Sequence, residues 1–357
     1  MSLDRDDLRA AVAAGMITEA QAASVLALSQ ERQGIRTRLD GRDEPFELFK
    51  GFNEIFIVVG LVVLYFGWVG LTGLSAATSL GPTTQAFAIY AAITMGVAAA
   101  LAGYFTLKRR MVAPSIALTI MYGLAALQMG ASLGWQFGLA FQERAVFTGG
   151  LATAALLLWY ALYRIPFAMA LVALGLFATV FAAVVLQGAT LPQPRDLFLL
   201  SADGPFAWLT VFLGLVVLAA ALAFDMSDPH RVSRRSATGF WLHVVAAPAI
   251  VNTVALTLFT DGSPRAQIIL VAFLAAMALF AVVIDRRSFL VAGVGYVVAL
   301  SLGVLEDNAM LAILTLGMGL VLLGAQWERL RSGLMRGLPA FPGKTRLPPW
   351  TLIEGQR

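Results

Sequence analysis

His243 is the residue in this chain best placed to do chemistry. It stands in an otherwise uncharged apolar run, with Pro248 five residues on and Asn252 nine residues on. An imidazole titrates near neutral pH and can relay a proton or hold a ligand by a hydrogen bond. Pro248 lacks a backbone N–H and frees the carbonyl of Val244, which puts a kink and an open acceptor beside the histidine. On a helix, though, nine residues turn through about 900°, so His243 and Asn252 face opposite sides. His243 shares its face with Ala246, Ala247, Ile250 and Thr257; Asn252 shares its own with Trp241, Val245 and Leu256. One site using both is disfavoured. Each side chain serves either a functional site or a hydrogen bond between packed helices.

A second polar group lies in the uncharged stretch 111–142, which holds Gln128 and Gln136 beside glycines at 130, 134 and 138. As one helix this stretch would run to about 48 Å, beyond the hydrocarbon of a bilayer. Glycines four apart permit close helix contact. The far end is therefore a tightly packed helical extension or a re-entrant segment, and in the second case Trp135 and Gln136 line a cavity.

Little else offers chemistry. The chain has two histidines and no cysteine, which leaves almost no material for a metal centre, a thiol nucleophile or a triad. No phosphate-binding loop, dinucleotide turn, zinc spacing or serine elbow occurs. No catalytic residue, cofactor or metal ligand is assigned. Glu306, Asp307 and Asn308 offer oxygen ligands, but adjacent residues in a turn point apart.

The elements that must position these residues follow from composition. Hydrophobic residues make up 59% of the 357 and charged residues 13%, against roughly a quarter charged in soluble domains. Uncharged runs long enough to cross a bilayer recur from residue 55 onward. They place ten spans near 55–73, 85–106, 113–133, 145–163, 166–187, 205–224, 238–259, 266–284, 288–304 and 309–326. Drawn this way, no span contains Asp, Glu, Lys or Arg, which argues against ion-coupled transport. Of 25 lysines and arginines, 22 fall on the side of the N-terminus and only Arg144, Arg195 and Arg265 on the other. Positive flanks stay in the cytoplasm, so both ends lie inside. The expected fold is an all-α polytopic membrane bundle of about ten transmembrane helices, N-in and C-in, in the inner membrane of a bacterium. The basic balance belongs to these flanks and is not a nucleic-acid signal.

Residues 1–50 form a cytoplasmic helical hairpin and charged linker, 51–330 the transmembrane bundle, and 331–357 a proline-containing cytoplasmic tail. In the hairpin, acidic residues open the first helix over 3–14, Gly15 closes it, and Thr18 with Gln21 starts the second as a capping box. Thirty residues bury too little apolar surface to stand alone, so residues 1–33 dock on the membrane domain, a sister subunit or a cytoplasmic partner.

Four pieces carry a resemblance. They are LRAAVAAGMITEAQA at 8–22, the entry to the first span over 49–68, FWLHVVAAP at 240–248 and LPPW at 347–350. Together they resemble a family of uncharacterised bacterial polytopic inner-membrane proteins, grouped as domains of unknown function. The resemblance implies the topology and the hairpin but no activity. Two functions remain in view. One is a non-enzymatic scaffold or regulator with a docking hairpin; the other is a permease or exporter for an uncharged or amphipathic small molecule, which requires a cavity lined by His243 or Gln128.

Overall fold

The computed structural model describes residues 5–18, 21–22, 25, 53–78, 83–229, 231, 233–304, 314, 317–319, 321–322 and 324–350. The chain divides into two compact units, Met1–Pro45 and Phe46–Arg357.

In the first unit, α1 (Arg5–Ala13) ends as the sequence predicts. Met16 N–H donates to Ala11 O and Gly15 N–H to Val12 O, and Gly15 has φ +72°. This is a Schellman closure that favours glycine at the left-handed position. The capping box is present in both directions: Thr18 N–H donates to Gln21 Oε1, and Gln21 N–H donates to Thr18 Oγ1. Most of the second hairpin helix and the linker lie outside the described residues.

In the second unit the helices are α2 (Asn53–Thr78), α3 (Thr83–Ala102), α4 (Val112–Gln136), α5 (Phe141–Tyr163), α6 (Pro166–Leu186), α7 (Phe206–Ser227), α8 (Arg234–Asp261), α9 (Pro264–Ile284), α10 (Ser288–Val304) and α11 (Trp327–Gly337). Eight of them, α2 to α9, are long and apolar enough to cross a membrane. Helix is the only regular secondary structure among the described residues. Most of the expected tenth span, 309–326, lies outside them.

Successive helices from α3 to α6 pack as neighbours, α2 lies on α4 and α3, and α8 is the hub that touches α6, α7, α9 and α10. The hub role follows from small side chains. Ala246, Ala247, Ala249, Val251 and Ala255 of α8 are all buried, which lets four partners approach one helix. Small residues set the α4–α5 seam too: a Cβ on Gly130 would fall 2.8 Å from Thr148 Cα, and one on Gly134 would fall 2.9 Å from Arg144 Cγ.

The long uncharged stretch 111–142 resolves simply. Helix α4 stops at Gln136, Gly138 takes φ +69°, and α5 begins at Phe141. Twenty-five residues of helix are about 37 Å, so neither a 48 Å rod nor a re-entrant loop is needed. The turn is closed by Gly138 N–H donating to Trp135 O and Leu139 N–H donating to Gly134 O.

The structure corrects one expectation. The helices extend past the last uncharged residue at their ends, and two of the carboxylates on them are buried: Glu54 in α2, 0% exposed, and Asp225 in α7, 4% exposed. Drawing spans only through uncharged residues stopped one position short of both.

A buried carboxylate, imidazole and guanidinium at one end of the bundle

Asp225 sits in the last turn of α7. Two residues on, the chain turns into α8, whose N-cap Ser233 accepts from Arg235 N–H. Asp228 fixes that turn: its Oδ2 accepts from Ser233 N–H at 2.9 Å and Ser233 Oγ–H at 2.7 Å. The turn lays α8 back along α7, so Asp225 meets the second and third turns of α8.

There it accepts from two cations or potential cations. His243 Nε2 donates to Asp225 Oδ2 at 2.8 Å. Arg286, from the short turn between α9 and α10, donates through Nε to Oδ2 at 3.0 Å and through Nη2 to Oδ1. Arg286 Nη2 also donates to Ser236 O at 2.8 Å. The Arg286 contact is the bidentate form that planar guanidinium and carboxylate favour. Paired so, Asp225 is an acceptor, and His243 Nε2 carries a hydrogen in either charge state of the ring.

Helix α8 can approach only because residue 239 is glycine. A Cβ there would lie 2.3 Å from Asp225 Oδ1. Gly239 precedes His243 by one helical turn, so both present to α7 on one face. Behind His243 stands Phe289, edge to face at a centroid distance of 5.9 Å. His243 Nδ1 is buried and has no hydrogen-bond partner.

A second layer adjoins the first. Asp285, the left-handed C-cap of α9 with φ +58°, pairs with Arg231 Nη1 at 3.0 Å and accepts Trp327 Nε1–H at 2.6 Å. Arg231 Nη2 donates to the Asp285 carbonyl at 2.7 Å. Burial pulls the Arg231 guanidinium below the usual arginine range and Arg286 pulls the same way, while Asp285, Asp225 and Asp228 push back. One turn past Trp327, Arg331 donates through Nη1 to Pro349 O and through Nη2 to Pro348 O. The tail is thus folded over 338–350. Lys344 closes it by donating to Leu338 O at 2.6 Å and sits over the Trp350 ring.

Chemically this is a clamp. The imidazole and carboxylate are shut off from solvent, with relative exposures of 0% and 4%. Among the described residues no cluster of three or more histidine, aspartate or glutamate side chains offers a metal site.

The other singled-out residues lie elsewhere. Gln128 Nε2 donates to Phe87 O and Gln136 Nε2 to Thr84 O, both from α4 to α3. Asn252 is half-buried on the side of α8 away from Asp225, and its carbonyl accepts from Tyr296 Oη–H at 3.5 Å. Pro248 lies inside α8. The structure therefore does not gather these five residues into one site. His243 and Gln128 both sit in helix–helix contacts. Sequence reasoning missed Asp225, Arg286 and Gly239; the available signal was Gly239 four residues before His243, facing the only acid in the preceding helix.

Fold and site together define an all-helical bundle of membrane-crossing type, with a buried carboxylate–imidazole–guanidinium clamp at one end. No family model matches the chain, and neither a curated protein nor a solved structure matches it at a significant level.

Proposed function

We propose that the chain is a multi-pass inner-membrane protein of a bacterium, of about ten spans with both ends cytoplasmic, and that it works as a non-enzymatic scaffold or regulator. The observation that carries this reading is where the polar side chains go. Asp225, His243, Arg286, Arg231, Asp285 and Trp327 are spent on one another at one end of the bundle, and Arg331 on the carbonyls of the tail. A carrier needs polar groups facing a path, whereas a scaffold needs a rigid face.

The sidedness is supported by the same network. It ties Arg231, Arg286 and Arg331, from three separate stretches, to one end, as a cytoplasmic basic flank requires. Two of the four family-like pieces, FWLHVVAAP and LPPW, supply His243 and the Pro348 and Pro349 carbonyls to it, which favours membership in the resembling bacterial family.

The hairpin over 1–33 is the docking element in this reading. A photo-crosslinking residue at Ala10 is expected to capture a defined cytoplasmic protein in cells, and deletion of 1–33 to abolish the capture and impair the associated phenotype. Unchanged partners and growth after that deletion would count decisively against a scaffold. Solute release from proteoliposomes faster than from empty vesicles would replace it with the permease. A reporter fused after Arg235 that works only in the periplasm would overturn the sidedness.

A further inference from the structure

Of the eight long apolar helices described, α2 has the smallest buried share, and apolar clefts run along both of its sides. One, ≈ 370 Å³, lies between α2 and α4 and is walled by Val58, Val62 and Phe66 against Ala113, Ile116 and Ile120. It follows α4 from Ala113 to Leu124, about 16 Å of helix. The other, ≈ 380 Å³, lies between α2 and α3 and reaches Leu101. Two of the polar groups on its wall pair with each other: Trp68 Nε1 donates to Thr94 Oγ1 at 2.9 Å, and the Tyr65 hydroxyl is the third. These walls suit hydrocarbon and offer little to a polar solute.

The α2–α4 cleft reaches Ala113, just past the turn between α3 and α4, and the α2–α3 cleft reaches Leu101, two residues before that turn begins. Helix α3 continues as a π-helical turn, Gly103–Lys108, and the chain reaches α4 through Arg109 and Arg110, with Arg110 held at φ +54°. Lys108, Arg109 and Arg110 are all exposed. Arg109 Nε donates to Tyr104 Oη at 3.0 Å. The nearby acid is Glu54, buried, which accepts from Ala113 N–H at 3.3 Å. Among the described residues, three cations stand against this one carboxylate at the foot of the α2–α4 cleft.

We propose that this is a binding site for one anionic diacyl phospholipid, its phosphate on the Lys108–Arg109–Arg110 turn and its chains in the clefts on either side of α2. Charge complementarity selects this occupant. Basic pockets between membrane helices hold anionic headgroups. A second copy of the chain seated on the same face would bring a second basic turn against the first, and like charges repel. The site rests on the bundle lying in a bilayer but not on its being a scaffold.

The test uses the full chain in phosphatidylcholine vesicles, with a spin-labelled chain on either phosphatidylglycerol or phosphatidylcholine, and reads the motionally restricted fraction. Labelled phosphatidylglycerol is expected to be held several-fold more strongly. K108Q, and then K108Q/R109Q/R110Q, should lower that preference by about fivefold for each charge removed, while I120W, which fills a cleft, should lower retention of both lipids. Equal retention of the two lipids, or a preference intact in the triple variant, sinks the site. Displacement of the label by inorganic phosphate alone makes it a simple anion site. A restricted fraction that disappears as a dimer dissociates on dilution makes it a subunit interface. If the triple variant does not fold, the K108Q result decides. Failure of the chain to float with phosphatidylcholine vesicles at all would count against the membrane reading, not the lipid site.

Discussion

Gly239 and Asp225 are in contact across the α7–α8 seam, so close that a methyl group on Gly239 would sit 2.3 Å from the Asp225 carboxylate. That contact lets the carboxylate reach both His243 and Arg286, and it makes the glycine a condition of the clamp.

Gly239→Ala is expected to push the carboxylate out of its pair and to destabilise the bundle by about 1–3 kcal/mol, the usual cost of overpacking. Gly150→Ala provides the control. Its Cβ would meet Thr179 Cγ2 at 3.9 Å, an ordinary contact, and alanine is the better helix former by about 1 kcal/mol. Thermal unfolding in detergent, followed by tryptophan fluorescence, should show a lower midpoint for the first and an equal or higher one for the second. Equal midpoints for both would mean the seam is slack.

Asp225→Asn leaves the Arg286 guanidinium buried without its counter-charge. Removing one partner of a buried pair costs about 3–5 kcal/mol, whereas replacing the whole pair with apolar groups is near neutral or stabilising. Asp225→Asn should therefore unfold at much lower temperature than wild type, and Asp225→Leu combined with Arg286→Met should recover part of the loss, the remainder being the His243 Nε2–H left without its acceptor. His243 tests the same logic from the other side. His243→Gln keeps an N–H that can donate to Asp225 and should cost less than His243→Ala, which removes the donor and leaves a cavity beside Phe289. A double variant no better than Asp225→Asn alone would refute the pairing as the source of stability.

Much of the architecture was readable because a bilayer imposes one length and one polarity on every crossing. That is why the sequence boundaries near 145–163 and 266–284 fall so close to Phe141–Tyr163 and Pro264–Ile284. The end of α1 and the capping box after it were legible for a different reason: Gly15, Thr18 and Gln21 act on backbone within a few residues of themselves. The clamp depends on long-range register, which local patterns do not carry. Asp225 and Arg286 are 61 residues apart, and each reads in isolation as an ordinary solvated residue at a helix end. His243 was visible as an anomaly, but its partner was hidden by ending the sixth span at the last uncharged position.

The glycines of α4 separate two roles that the sequence spacing merges. Gly130 packs on Thr148, while Gly138 meets nothing within 4 Å and is held at φ +69°. Gly130→Ala should destabilise by forcing α4 and α5 apart, by about 1–3 kcal/mol. Gly138→Ala should cost only the left-handed backbone strain, of order 1–2 kcal/mol. A cross-link between positions on α4 and α5 should weaken in the first variant and not in the second; a weakened link in both would assign Gly138 to packing as well.

Trp327 and Arg331 stand one turn apart on α11, and each fixes a different neighbour. The indole N–H reaches Asp285 in the α9–α10 turn, and the guanidinium reaches the Pro348 and Pro349 carbonyls. Trp327→Phe keeps the ring and removes one hydrogen bond to a charged acceptor, worth about 1.5–3 kcal/mol. Arg331→Lys keeps the charge but not the planar fork that spans two carbonyls. If α11 is the rod through which the tail is held to the bundle, each substitution should speed proteolysis within 338–350, and the two together should depart from additivity by about 0.5 kcal/mol or more, as contacting parts of one network do. Arg331→Lys alone should leave the thermal midpoint nearly unchanged, because it frees the tail without touching Asp285. Strictly additive effects, or a tail cleaved no faster in either variant, would mean that the tail is held by the Lys344 and Trp350 contacts and not through α11.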